Sequence, residues 1–140
     1  MKSSFKVMLV AFLALTALSF ENGVQKDEKQ IRKVYLPAGE VHEGWYFAAG
    51  DQVTIEGTIN GDAYVAGGVV DVDGTINGDL LVAGGQVTIN GKVSDDIRAA
   101  GGTVRINATV GKNISAAAGT IAIGKSAMIN GGVIGAAGNI

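Results

Sequence analysis

From Gly44 the chain can be written in rows of seventeen: "GWYFAAGDQVTIEGTIN", "GDAYVAGGVVDVDGTIN", "GDLLVAGGQVTINGKVS", "DDIRAAGGTVRINATVG". The next row, "KNISAAAGTIAIGKSA", is followed by a slip of two residues before the phase restarts as "MINGGVIGAAGNI". Stacking the rows produces apolar columns. Val53, Val70, Val87, Val104 and Ile121 form one; Ile55, Val72, Ile89, Ile106 and Ile123 a second; Ile59, Ile76, Val93 and Val110 a third. A fixed period of this length is the mark of a solenoid, in which each repeat packs only on its neighbours.

The parity of the period sharpens this. Val53, Ile55, Ile59, Ala63 and Val65 alternate with other residues, and Gly57 and Gly61 fill the missing inward places, which is the two-residue rhythm of strands with one buried face. Seventeen is odd, so strict alternation would turn every second row inside out. Each row must therefore hold one place where alternation fails. That place is "AGG": the inward series ending at Val65 resumes at Val70 and Val72. Glycine is expected there because it reaches backbone angles closed to other residues. The chain thus reads as an all-β parallel β-helix with coils of about 17 residues, cornered at "AGG" and "NGD". One coil cannot fold alone, because its few inward side chains gain less than the cost of ordering its backbone, about 1–2 kcal/mol per residue.

Composition agrees with corners on every row: 140 residues carry 22 glycines, one proline and no cysteine, which excludes disulfides and thiolate metal sites. Ahead of the repeat, "MKSSFK" and the apolar run "VMLVAFLALTALSF" with a small-residue site at Ala17-Leu18-Ser19 predict an export signal over residues 1–19. The run is short for a membrane span, so no transmembrane helix is expected after its removal. Residues 20–33 read as a charged linker, and residues 34–140 as the repeat domain, stopping at Ile140 in mid-strand as though it continued in a longer protein.

Rows such as "INGDLLVAGGQVTING", preceded by "VYLPAGEVHEGWYFAAGDQV", resemble the bactofilin-like, polymer-forming β-helix proteins of bacteria over about three quarters of the chain. The resemblance implies a right-handed β-helix that joins end to end into filaments or sheets without a nucleotide. Bactofilins proper are cytoplasmic scaffolds. The export signal departs from that pattern and points to the cell envelope, periplasm or cell surface.

The search for chemistry returns little. His42 is the one histidine, has Glu43 beside it in sequence, and has no serine or cysteine constellation to serve, so no enzyme is expected. "GVIGAAGN" imitates a dinucleotide fingerprint but sits in the same register as "DLLVAGGQ" and opens no helix. No cofactor is implied, and no basic-aromatic patch suits nucleic acid. Asp62, Asp79 and Asp96 stack at one corner, with Asn113 continuing the line, and offer the oxygens that calcium takes. Their spacing matches no calcium loop, and the preference of Asp and Asn for turns accounts for them without a metal.

Two readings of function follow. The first is a self-assembling scaffold of the bacterial envelope, a head-to-tail homopolymer. The alternative is a monomeric binding module, an adhesin or glycan binder. It would use an outward apolar strip in which Phe47, Tyr64 and Leu81 share a column and Trp45 lies two residues away. Charge bears on the first reading. From Val34 to Asp96 the acids stand against Lys92 alone; from Ile97 onward come Arg98, Arg105, Lys112 and Lys125 with no acid. Such a rod is polar along its length, and Arg105 and Lys112 would help steer opposite ends together.

Overall fold

The computed structural model describes Gln30 to Ile140, so the expected export signal and most of the charged linker lie outside the described residues. Within them the chain is all strand and turn. Long strands β3 (Tyr46–Ile55), β5 (Ala63–Val72), β7 (Leu80–Ile89), β9 (Ile97–Ile106) and β11 (Ile114–Ile123) are flanked by β1 (Lys33–Leu36) and β13 (Val133–Asn139). Short strands alternate with them: β2 (Val41–Glu43), β4 (Thr58–Asn60), β6 (Thr75–Ile76), β8 (Lys92–Val93), β10 (Thr109–Val110) and β12 (Met128–Ile129). The odd-numbered strands form one seven-stranded sheet in chain order and the even-numbered strands a second, six-stranded sheet, every pairing being parallel. This is a β-solenoid of about six turns.

From β3 to β11 the pairing advances by seventeen residues per coil, as in Ala63↔Leu80↔Ile97↔Ile114. The apolar columns become the core. Val53, Val70, Val87, Val104 and Ile121 are stacked and buried, as are Ile55, Val72, Ile89 and Ile106. The short strands supply the third wall with Ile59, Ile76, Val93 and Val110, each fully buried.

Alternation fails where the odd period requires it to fail. In β5 the inward residues are Ala63 and Val65, then Val70 and Val72, with Gly68 exposed between the two runs. The reason glycine stands there differs from the one expected. None of the "AGG" glycines has a positive φ, and the strand runs through them unbroken. What they provide is room: a Cβ on Gly84 would lie 2.5 Å from the Gly67 carbonyl oxygen of the preceding coil and 3.3 Å from a Val70 methyl. Left-handed backbone is confined to the first coil, where Gly39 (φ 87°) completes the Pro37-Ala38-Gly39-Glu40 turn closed by Glu40 N–H donating to the Pro37 carbonyl at 3.1 Å.

The two-residue slip is a matching turn at the other end. Gly124 to Ala127 is closed by Ala127 N–H donating to the Gly124 carbonyl at 3.1 Å, and beyond it Val133 pairs nineteen residues back with Ile114. Lys33 likewise pairs nineteen residues on with Gln52. Both insertions sit at the corner between a long strand and a short one, where extra residues leave the sheet without disturbing its register.

Candidate functional site: an apolar outer face

The first half of each long strand turns two columns outward. Phe47↔Tyr64↔Leu81↔Arg98↔Ser115↔Ile134 is one, in register from β3 to β13. The rings of Phe47 and Tyr64 stack with centroids 4.9 Å apart and planes 10° from parallel, while Trp45 meets Phe47 edge-on at 6.4 Å. Trp45 is 68% exposed and Phe47 52%. Thus Trp45, Phe47, Tyr64 and Leu81 form one contiguous strip.

The second column is alanine on every coil: Ala49, Ala66, Ala83, Ala100, Ala117 and Ala136, all exposed. Outward positions of a sheet facing water usually carry polar residues. A flat alanine floor beside a taller column makes a groove of about 870 Å³ that begins at the first coil, by Leu36, Glu40 and Tyr46, and runs to Ile134. Sequence reading found the aromatic end of this groove and missed the floor. The signal was present in the seventeen-residue register, two places after Phe47, but small side chains carry little hydrophobic weight and drew no notice.

His42 is not part of this surface. It occupies the inward column of Ile59 and Ile76, 5% exposed, so it cannot meet a substrate. Its Nε2–H donates to the Trp45 carbonyl at 2.8 Å, the Tyr46 ring lies edge-on at 5.1 Å, and Nδ1 is buried without a partner. Burial, with a smaller contribution from nearby Glu40, pushes the Tyr46 hydroxyl up to about 12, so the phenol stays neutral. Tyr35, on the surface, is raised first by donating to Glu56 at 2.6 Å.

The aspartate corner is an inter-coil ladder. Asp62 Oδ1 accepts from Asp79 N–H at 2.8 Å, Asp79 Oδ1 from Asp96 N–H at 2.9 Å, Asp96 Oδ1 from Asn113 N–H at 2.9 Å, and Asn113 Oδ1 from Gly132 N–H at 2.9 Å. The column thus ties each coil to the next, which turn preference alone does not explain. No group of three or more His, Cys, Asp or Glu side chains among the described residues is placed to hold a metal ion. Outward amides form a second ladder, with Asn77 Nδ2 donating to Asn60 at 2.8 Å and Asn60 Nδ2 to Glu43 at 2.7 Å.

Of the late-coil cations, Arg105 is exposed on the outer face of β9, next to Thr88. Lys112 lies 3.5 Å from Asp95 of the preceding coil, so part of its charge is answered within the rod. No helix of the described residues is long and apolar enough to cross a membrane. No family model, curated protein or solved structure matches the chain.

Proposed function

We propose that this chain is a self-assembling structural element of the bacterial cell envelope, an exported protein of bactofilin-like type that polymerises through the ends of its β-helix. The observation that carries the reading is the uniform register from β3 to β11. Successive coils from β3 to β11 offer each other the same backbone edge and the same Val and Ile columns, and Asp62, Asp79, Asp96 and Asn113 tie one to the next by the same side-chain bond. Whatever joins coil to coil within one chain is suited to join coils of two chains, a heterologous contact that propagates. The one histidine, His42, is shut in the core.

Negative-stain microscopy with size-exclusion chromatography tests it: filaments are expected, and a monodisperse monomer overturns it. If charge polarity steers the ends, assembly slows in about 1 M salt, where the screening length is about 3 Å. Arg105→Glu with Lys112→Glu slows it further, Arg105 being the cleaner probe because Lys112 also serves Asp95.

The strip of exposed Trp45 and Phe47 with half-buried Tyr64 favours a second reading, a binding module using the outer face. Glycan recognition fits it poorly. A sugar needs the face of a ring, and Phe47 and Tyr64 turn faces toward each other.

A further inference from the structure

The first and last coils of the rod each present half of a long strand, and the halves differ. At the first coil β1 pairs with Gln52 to Ile55 of β3, and Tyr46 to Gly50 have no strand on their outer side among the described residues. At the last coil β13 pairs with Ile114 to Thr120 of β11, and Ile121 to Ile123 are left without a strand there. Carried through the register, Asn139 and Lys33 fall in one column. Placed in line, β13 and β1 therefore cover the ten places of a long strand such as β3.

The two coils match in other ways. Each carries a four-residue turn at the same corner, between a long strand and the short strand after it: Pro37 to Glu40 in the first and Gly124 to Ala127 in the last, both closed at 3.1 Å. Glu40 is exposed in one turn and Lys125 in the other. The outward column of the short strands is Thr58, Thr75, Lys92 and Thr109 in the interior, but exposed Val41 at one end and exposed Met128 at the other. Among the described residues, every exposed large hydrophobic side chain lies between Ile31 and Phe47 or between Ile123 and Ile140. Apolar surface gathered in this way marks a contact.

We propose that copies of this chain join head to tail by completing one coil between them, β13 of one copy lying in line with β1 of the next. The inference rests on the end-to-end assembly argued above and adds the register of its junction. β13 is then held between β11 of its own chain and β3 of the next copy, and β1 between its own β3 and the end of the preceding copy's β11. In the smaller sheet β12 takes β2 of the next copy as its outer neighbour. Ile134 comes beside Phe47, Val133 beside Tyr46, Ile123 beside Leu36 and Met128 beside Val41, each pair one strand spacing, about 4.8 Å, apart. The two four-residue turns stack, so an insertion that no interior coil could match is matched across the junction, with Lys125 brought to the corner of Glu40. Where the half-strands overlap, at the place of the "AGG" break, the flanking residues turn out of the sheet. The contact covers both sheet edges and leaves a fresh one at the far end, so it propagates. Joining like ends would run the strands antiparallel and bring Glu40 to a second acidic coil.

The chain has no cysteine of its own, so an introduced disulfide reports the register. Residues opposite each other on paired strands stand close enough for one. The test is mild oxidation of the full chain carrying Val41→Cys and Met128→Cys, with each single variant and an equal mixture of the two beside it. Both positions are exposed, so circular dichroism should show unchanged folding. The double variant should give a ladder of covalent multimers, each single variant monomers alone, and the mixture a dimer that goes no further. A second variant, Ile134→Asp, should raise the concentration needed for assembly about tenfold or more, because it sets a charge against Phe47. Filaments without the ladder, a single variant that cross-links to itself, or an unchanged threshold for Ile134→Asp would overturn the junction and leave end-to-end assembly standing. Absence of filaments from the unaltered chain would overturn both.

Discussion

The inner coils and the flanking coils of this rod follow different rules. From β3 to β9 every long strand has a neighbour on both sides, the register runs at seventeen as far as β11, and the inward columns are shut from water. In the flanking coils β1 and β13 pair at nineteen while β2 stays at seventeen from β4, a four-residue turn occupies the corner, and the inward columns accept what the interior does not: His42 in the column of Ile59, and Ile123, at the end of β11 past its pairing with β13, at 39% exposure below fully buried Ile106. A coil with two neighbours must match both, so any insertion would have to be repeated throughout. A flanking coil can keep an outward turn at a corner while its strands stay in register. The register is therefore constant where an insertion would have to be repeated, and lengthened only where a corner turn carries the extra residues outward.

The largest expected effect contrasts the two regions in the core. Ile76→Ala, in a fully buried position, should cost about 2–5 kcal/mol in urea unfolding, whereas Ile123→Ala should cost well under half of that. Equal losses would mean that both regions are packed alike. Next is the close approach of backbones. Gly84→Ala drives a Cβ to 2.5 Å from the Gly67 carbonyl and should destabilise by about 1–3 kcal/mol, while at Gly138 the nearest atom is 3.4 Å away and alanine should be tolerated. Thermal melts of the two variants decide it.

Much of this was legible because the determinants are periodic. Val53 and its successors announce the core column, and the odd period demands a parity break at "AGG" before any coordinates are seen. What stayed illegible was set by contacts between coils. That Gly84 is needed for clearance and not for a left-handed φ depends on where the Gly67 carbonyl lies, which no single row reveals. His42 stands seventeen residues before Ile59, so the period already put it in that inward column; a lone polar side chain does not read as core until the pairing His42↔Ile59 is seen. The groove floor was hidden by the modesty of alanine.

A smaller effect probes the ladder. Asp79→Ala removes the acceptor of Asp96 N–H and should cost about 1 kcal/mol, while Asp79→Asn should be nearly neutral, since Asn113 makes the same bond at the next coil but one. Millimolar calcium should leave the melting temperature of the unaltered chain unchanged.

The smallest effect is electrostatic. Burial, and then the charge of Asp73, raise the carboxyl of Asp71 above its ordinary value. An acid raised by folding favours the folded state while protonated, and that contribution is lost as pH rises through the raised value. Asp71→Asn should therefore lift the neutral-pH melting temperature by on the order of 1 °C and change nothing near pH 3, because the exposed side of the carboxyl is screened by water.

The most direct test of the account removes a coil. Residues 78–94 make one seventeen-residue turn, and Asp95 lies one coil on from Gly78, so excising them joins Asn77 to Asp95 with every column and ladder preserved. This deletion should leave a cooperatively melting β-solenoid one turn shorter, by circular dichroism and small-angle scattering. Deleting 79–94, one residue fewer, shifts the parity of all that follows and should abolish the cooperative transition. If the two deletions behave alike, the seventeen-residue coil is not the unit that builds this protein.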